Sequence, residues 1–507
     1  MENSRTKNST RNIIYAFINQ GLVTVLTFIT RTVLVKQLGA EYVGVNGLFT
    51  NIISMLSLAE LGIGLAIPFS LYEPLANGDK KKINALMRLY SKIYYIIGTV
   101  VLVVGACLTP FLQYLVSEMP DISSIRIIYL LFVLNSGISY FWSYKSLLIT
   151  SDQKAYVLTK INNYCSIALA LFQCIMLSVT HNFILYLLVN TVITLVKNLY
   201  VSHECNKRYP YIKKKYDYKL DAEEKNGIKK NVFAVSLYKV GTTLLNSTDG
   251  IIISRFLGVI INGYYSNYTM ITNALNSLLS QIVSGFTASV GNATATESDS
   301  FNHTLFKRLD FFNFWIYGVC TICLWALMNP FIDVWIGTEY QLSEICVWAI
   351  SMNFYTLGML SVNSAFRNTY GLFWYGKLRP VVMAIINLAL DFILVNRMGV
   401  FGVVFATLVA RLITTVWYDP YIVFKYGFKR SPKNYYITYL LRFMIVSALG
   451  YFTHITVCLF SINGWLSWIV AAIIVFIVIN VLFLLLGFWT DEFKWMIKKV
   501  CQLIGKH

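Results

Sequence analysis

Six ionisable residues sit inside apolar stretches of this chain: Arg31, Glu60, Lys239, Asp249, Asp391 and Arg411. A charge at mid-bilayer costs at least ~2.5–3.5 kcal/mol on insertion scales, so each is expected to face a partner or a wet cavity. Four further cations, Lys145, Lys160, Arg367 and Arg379, lie near the ends of such stretches on one side. Cations predominate in this set. Arg offers a fixed fork to phosphate oxygens and Lys a compact charge. Together they offer anion binding, suited to a phosphate or pyrophosphate head group. Arg31, Lys239, Arg411, Glu60 and Asp391 are the candidates for lining that head-group cavity. Lys145, Lys160, Arg367 and Arg379 are candidates at its cytoplasmic entrance, where snorkelling to the interface is their plain alternative.

No catalytic constellation accompanies them. The sequence has no P-loop, no GxSxG, no HExxH and no zinc spacing. The five histidines show no metal spacing. Cys320 and Cys323 form a CxxC within a hydrophobic run, where cysteine behaves as a small hydrophobe. No catalytic residue, metal ligand or bound cofactor is therefore expected, and ATP is not the direct driver. A coupling ion, Na+ or H+, stays open.

The elements that must position these charges follow from composition. Of 507 residues, 57% are hydrophobic and only 13% charged, with mean hydropathy +0.60. A soluble domain carries roughly 25% charged residues. Long apolar runs recur from end to end without the alternation of a β-barrel, so the chain is an all-α polytopic membrane protein. The net charge of +18 holds loops on the inner side and does not mark nucleic acid as a partner.

About fourteen spans can be read, from 12–37 and 44–72 at the start to 436–460 and 464–489 at the end. Two of them, 263–290 and 343–370, are polar for lipid-facing helices, so much of their surface is expected on a protein interior or cavity. With both termini inside, 34 of the 42 Lys and Arg fall on inner segments, and Lys36, Arg126, Arg255 and Arg397 are the four outside. That asymmetry follows the positive-inside rule along the whole chain.

The polar segment 205–229 reads as a cytoplasmic linker, and the stretch after it echoes the chain's beginning. At an offset of 219, Asn12 falls on Asn231, Leu38-Gly39 on Leu257-Gly258, Lys36 on Arg255 and Gly44 on Gly263. The reading is an N-lobe over 1–204 with six helices, the linker, a C-lobe over 230–430 with six more, and two last helices with a tail over 431–507. Six is even, so the repeat is parallel, about a pseudo-twofold axis along the membrane normal, with the substrate site between the lobes. The offset sets Asp249 opposite Thr30, beside Arg31. Both lie near the outer boundary, and an Arg31–Asp249 pair is expected as an outer gate.

Three stretches carry a resemblance. They are ITRTVLVKQLGAEYVGVNGLFTNIISMLSLAELGIGLAIPFSLY (29–72), NSTDGIIISRFLGVIINGYYSNYTMI (246–271), and FRNTYGLFWYGKLRPVVMAIINLALDFILV (366–395) followed by GVFGVVFATLVARL (399–412). In order and spacing they resemble the polysaccharide transporter branch of the MOP superfamily, flippases of lipid-linked oligosaccharides. The resemblance implies a MATE-like fold with alternating access in a bacterial cell membrane. It implies an undecaprenyl-pyrophosphate-linked oligosaccharide as substrate, carried to the outer leaflet for surface polysaccharide synthesis. A polysaccharide polymerase and glycosyltransferases would be its partners, and membrane lipids its surroundings. Peptidoglycan lipid-precursor flippases of the same fold are the near rival. A cation-coupled multidrug exporter fits less well, because it needs acidic cavity residues where helix one carries Arg31. An integral-membrane polymerase or ligase ranks last, because the outside loops are short.

Overall fold

The computed structural model describes residues 2–504 apart from 61–62, 117–121, 123, 215, 217, 219–220, 373 and 461. Leu61 and Gly62 of the LGIG stretch thus lie outside the described residues. The chain divides into two compact units, Met1–Ser266 and Asn267–His507. Among the described residues it is helical with no strand.

In the first unit, helix α1 (Glu2–Leu56) runs through both expected first spans and breaks at Gly39. Gly39 has φ 81°, a conformation open to glycine and strained for other residues. A short 3-10 turn, Ser57–Glu60, leads to α2 (Ile63–Asn77), which contains Pro68 and Pro74. Asp79 caps α3 (Lys80–Leu108), its Oδ1 accepting from the backbone N–H of Lys81 and Lys82 at 3.1 and 3.0 Å. Helices α4 (Ile125–Tyr140) and α5 (Ser143–Ser151) form one span bent by 43°. Then come α6 (Ala155–Thr180) and α7 (Phe183–Arg208), the latter capped by Asn182. Lipid is as apolar as these helices, so close packing and interhelical hydrogen bonds must hold them together. The packed centre joins Leu71, Leu86, Tyr90, Leu148 and Cys205, with Tyr90 hydrogen-bonded to Ser70.

The polar segment 205–229 carries helix at both ends. Helix α7 continues to Arg208, with Lys207 and Arg208 in its last turn, where cations complement the helix dipole. Buried Asn84 then donates to the carbonyls of Tyr211, Ile212 and Lys214 at 2.8, 3.0 and 3.0 Å. Helix α8 (Ala222–Phe256) begins before the expected end of the linker. It packs on α1 and α2 within the first unit. A second break with positive φ, at Gly258 (φ 99°), precedes α9 (Val259–Thr296), whose first residues complete this unit.

The second unit holds the rest of α9, then α10 (Asp299–Ile336), α11 (Glu344–Thr369), α12 (Arg379–Ile422), α13 (Lys433–Cys458), α14 (Trp465–Gly487) and α15 (Asp491–Ile504). Ser298 caps α10, accepting from Phe301 N–H at 3.3 Å. Helices α10 and α11 are buried on most faces, in keeping with the polar character of 343–370. Helix α12 kinks at Gly399 (φ 58°) and ends in a π-helical stretch, Val423–Phe428.

Among the described residues nine helical runs are long and apolar enough to cross a membrane, or ten if α4 and α5 count as one span. The run Trp374–Phe428 has 55 residues. At 1.5 Å per residue that is roughly 80 Å, enough for two passes of a ~30 Å core. The structure is thus a multi-pass helical membrane protein. Expected span 263–290 falls on α9, which is not among the apolar runs.

Candidate functional site

The breaks at Gly39 and Gly258 aim α1 and α9 at each other. A Cβ on Gly44 would strike the Val259 carbonyl, and one on Gly263 would strike the Ala40 carbonyl. Val259 follows Ala40 by the same 219 positions that separate Gly263 from Gly44. The crossing is therefore reciprocal, each backbone lying against its counterpart's. Asn262 Nδ2 ties it by donating to the Gly44 carbonyl at 3.2 Å. Small residues permit this approach, and polar side chains fasten it, as expected of helices in lipid.

Arg31 and Asp249 both address α9 at this crossing. Arg31 Nη2 donates to Ser266 Oγ at 3.4 Å, and Arg31 Nη1 is buried with no hydrogen-bond partner. Tyr265 Oη donates to Asp249 Oδ2 at 3.4 Å. Among the described residues no ion pair joins Arg31 to Asp249. Equal depth on two helices does not fix the direction of a side chain, and each finds a neighbouring residue of α9 first.

The other candidates of the first unit have separate surroundings. Glu60 Oε1 accepts from Tyr94 Oη at 2.8 Å. Lys239, on α8, is half-buried and makes no ion pair among the described residues. Lys145 Nζ donates to Ser202 Oγ at 2.6 Å. Lys160 Nζ lies 5.3 Å from the centre of the Tyr15 ring, a cation–π distance.

In the second unit the candidates are bound into buried networks. Arg411 Nη1 donates to the Asn353 carbonyl, Asn353 Oδ1 and Thr356 Oγ1 at 2.7, 3.0 and 3.1 Å. Arg367 and Arg379 converge on Asp419, the first at 3.0 Å. Both sequence-marked arginines are thus partners of one buried carboxylate that sequence reasoning passed over. Asp310 and Arg442 form a second such pair, at 2.5 Å. The signal was present: Asp310 and Asp419 are carboxylates inside apolar runs, each with arginines on the same basic side.

Asp391 is fully buried with Asn387 and Thr407. Asn387 Nδ2 donates to Asp391 Oδ1 at 3.2 Å and to Thr407 Oγ1 at 3.1 Å. Thr407 Oγ1 also lies 3.4 Å from the Val403 carbonyl. Asn387 Oδ1 is buried with no hydrogen-bond partner. One carboxylate with amide, hydroxyl and carbonyl oxygens is a donor set for a hard cation. No cluster of three His, Cys, Asp or Glu able to hold a metal occurs among the described residues.

No family model matches the chain, and no curated protein matches it in sequence. Solved structures do match its fold. The lipid II flippase MurJ in an inward closed conformation is 13% identical, covers 93% of this chain and 99% of its own, and superposes with TM-score 0.69. An inward-facing multidrug resistance MATE family transporter of the MOP superfamily is also 13% identical, covering 81% and 98%, with TM-score 0.61. A MOP superfamily transporter from Pyrococcus furiosus with a binding pocket of reversed polarity is 14% identical, covering 84% and 97%, with TM-score 0.58. The fold of this chain is that of MOP superfamily transporters.

Proposed function

We propose that this transporter is a flippase for a lipid-linked oligosaccharide with a pyrophosphate head group, moved from the cytoplasmic to the outer leaflet by alternating access. The observation that carries the reading is the guanidinium of Arg31 in the first helix, with Nη1 buried and unspent. Arg367 and Arg379 have the Asp419 carboxylate as counter-charge, and Arg411 donates to the Asn353 carbonyl, so they are structural first. Arg31 has a donor left for a phosphate oxygen. Lys239, with no carboxylate partner among the described residues, is its proposed companion. A cationic substrate is disfavoured beside such an arginine. The protein lies in a bacterial plasma membrane with both termini cytoplasmic, and works beside glycosyltransferases and a polysaccharide polymerase. Asp391, Asn387 and Thr407 are the proposed seat of a coupling cation.

A second reading, a peptidoglycan lipid-precursor flippase, is favoured by the fold shared with MurJ at TM-score 0.69. It uses the same head-group chemistry. A conditional deletion separates the two. The first predicts lost surface polymer with lipid-linked oligosaccharide accumulating on the cytoplasmic leaflet while peptidoglycan synthesis continues. Accumulated peptidoglycan precursor followed by lysis supports the second. Neither accumulation, with altered resistance to organic cations, overturns both.

A further inference from the structure

The second unit contains a cavity of about 560 Å³ that the transport reading does not use. It lies where α10 and α13 begin, where α14 ends, and where α15 turns back. Its size falls in the range of small-molecule sites, ~300–1,000 Å³.

The lining has a polar and an apolar part, which meet where Arg442 lies 4.8 Å from the centre of the Phe314 ring. The polar part carries Lys307, Arg430, Arg442, Asp310 and Glu492. Three cations against two carboxylates leave one net positive charge. Arg442 is held by Asp310 at 2.5 Å. Lys307 and Arg430 are exposed; Arg430 meets His303 Nδ1 at 3.2 Å and Ser300 Oγ at 3.3 Å. Asp310 Oδ1 is buried with no hydrogen-bond partner. The apolar part is aliphatic and aromatic, with Phe314, Ile445, Phe483 and Leu486.

The walls are built. Phe314 stacks on Phe483 with ring centres 5.2 Å apart. Helix α15 is pinned to α10 by Phe493 stacked on Trp315 at 5.6 Å and by Arg308 lying 5.1 Å from the Trp495 ring. The outer faces of α13 and α14 expose Leu440, Leu441, Met444, Ile477 and Leu485. Exposed apolar faces on two of the helices that wall the cavity suit a lipid occupant.

We propose that this cavity holds the head group of an anionic phospholipid of the phosphatidylglycerol class, apart from the transported substrate. The single negative charge of its phosphodiester matches the net charge of the polar part, with Lys307 and Arg430 as phosphate donors. A head-group hydroxyl supplies the donor that Asp310 Oδ1 lacks. The start of an acyl chain lies along Phe314, Phe483 and Leu486. Phosphatidylcholine offers no hydroxyl and carries no net charge, so it fits poorly.

The test uses the full-length protein in detergent, with binding of added lipid followed by native mass spectrometry and by thermal midpoint. Phosphatidylglycerol is expected to bind and to raise the midpoint, with phosphatidylcholine and inorganic phosphate much weaker. The double variant Lys307→Gln/Arg430→Gln should weaken phosphatidylglycerol binding about twenty-five-fold, at about fivefold for each interfacial cation. Both positions are exposed, and an unchanged circular dichroism spectrum checks that the variant folds. Asp310→Asn should narrow the preference for phosphatidylglycerol over phosphatidic acid, which lacks the alcohol hydroxyls of the glycerol head group. Equal binding of phosphatidylcholine, undiminished binding by the double variant, or saturation by inorganic phosphate alone would overturn the proposal. Only the last outcome would point to a free-anion site.

Discussion

Arg31 is half-buried and Arg367 buried, and their nitrogens meet different partners. Arg367 donates to both carboxylate oxygens of Asp419, at 3.0 and 3.1 Å. Arg31 gives one bond to a serine and keeps Nη1 unspent. Replacing them should therefore fail in different ways. Arg31→Gln should abolish transport with little change in thermal midpoint, while Arg31→Lys retains part of the activity, since charge survives and the fork does not. Transport assayed in reconstituted vesicles beside a melting curve checks this. Asp419→Asn should instead destabilise by about 3–5 kcal/mol, because it leaves two buried arginines without their counter-charge. Denaturant unfolding in detergent measures it. A midpoint that fell equally for both variants would erase the distinction between the two arginines.

Among the elements, the crossing of α1 and α9 has the least tolerance. Gly263→Ala would push a methyl group into the Ala40 carbonyl and toward Gly44 N. Backbone cannot yield as a flexible side chain can, so the helices must separate. Labelling of a cysteine at Ala40 by an impermeant reagent should rise several-fold, and transport should fall. Gly285→Ala is the control, because nothing lies within 4 Å of that position; it should label and transport as the parent does. The contacts of Arg31 and Asp249 with Ser266 and Tyr265 give the same crossing its polar part. An outer gate is thus proposed to run through α9 rather than through a direct ion pair.

For the whole molecule, two properties are expected. The positive-inside rule expects the segment after α7 on the inner side, and on that expectation a cysteine at Lys213 should react with an impermeant reagent only after the cells are opened. Lys215, beside it, lies outside the described residues. The second concerns the coupling cation. If Asp391 helps hold it, Asp391→Asn should remove the dependence of transport on a Na+ or proton gradient while leaving head-group binding intact. Transport measured with and without each gradient decides this. Unchanged gradient dependence in the variant would move the coupling site elsewhere.

Sequence alone determined what periodicity, charge and covalent geometry can encode. Apolar run length demands helices that cross a membrane. The offset of 219 matched Gly39 to Gly258 and Gly44 to Gly263, because positive φ and backbone contact admit only the smallest residue. The polar character of 343–370 announced a helix buried among others. Partner choice was not legible. Arg367 and Arg379 read as cytoplasmic-entrance cations or snorkelling anchors, since nothing local ties them to Asp419, some forty or more positions away. The same holds for Arg442 with Asp310, and for Arg411 with Asn353. Arg31 and Asp249 were matched by depth, but depth leaves open the direction a side chain takes around its helix. Only the packed structure assigns that angle, because helix rotation is set by neighbouring helices that the local sequence does not specify.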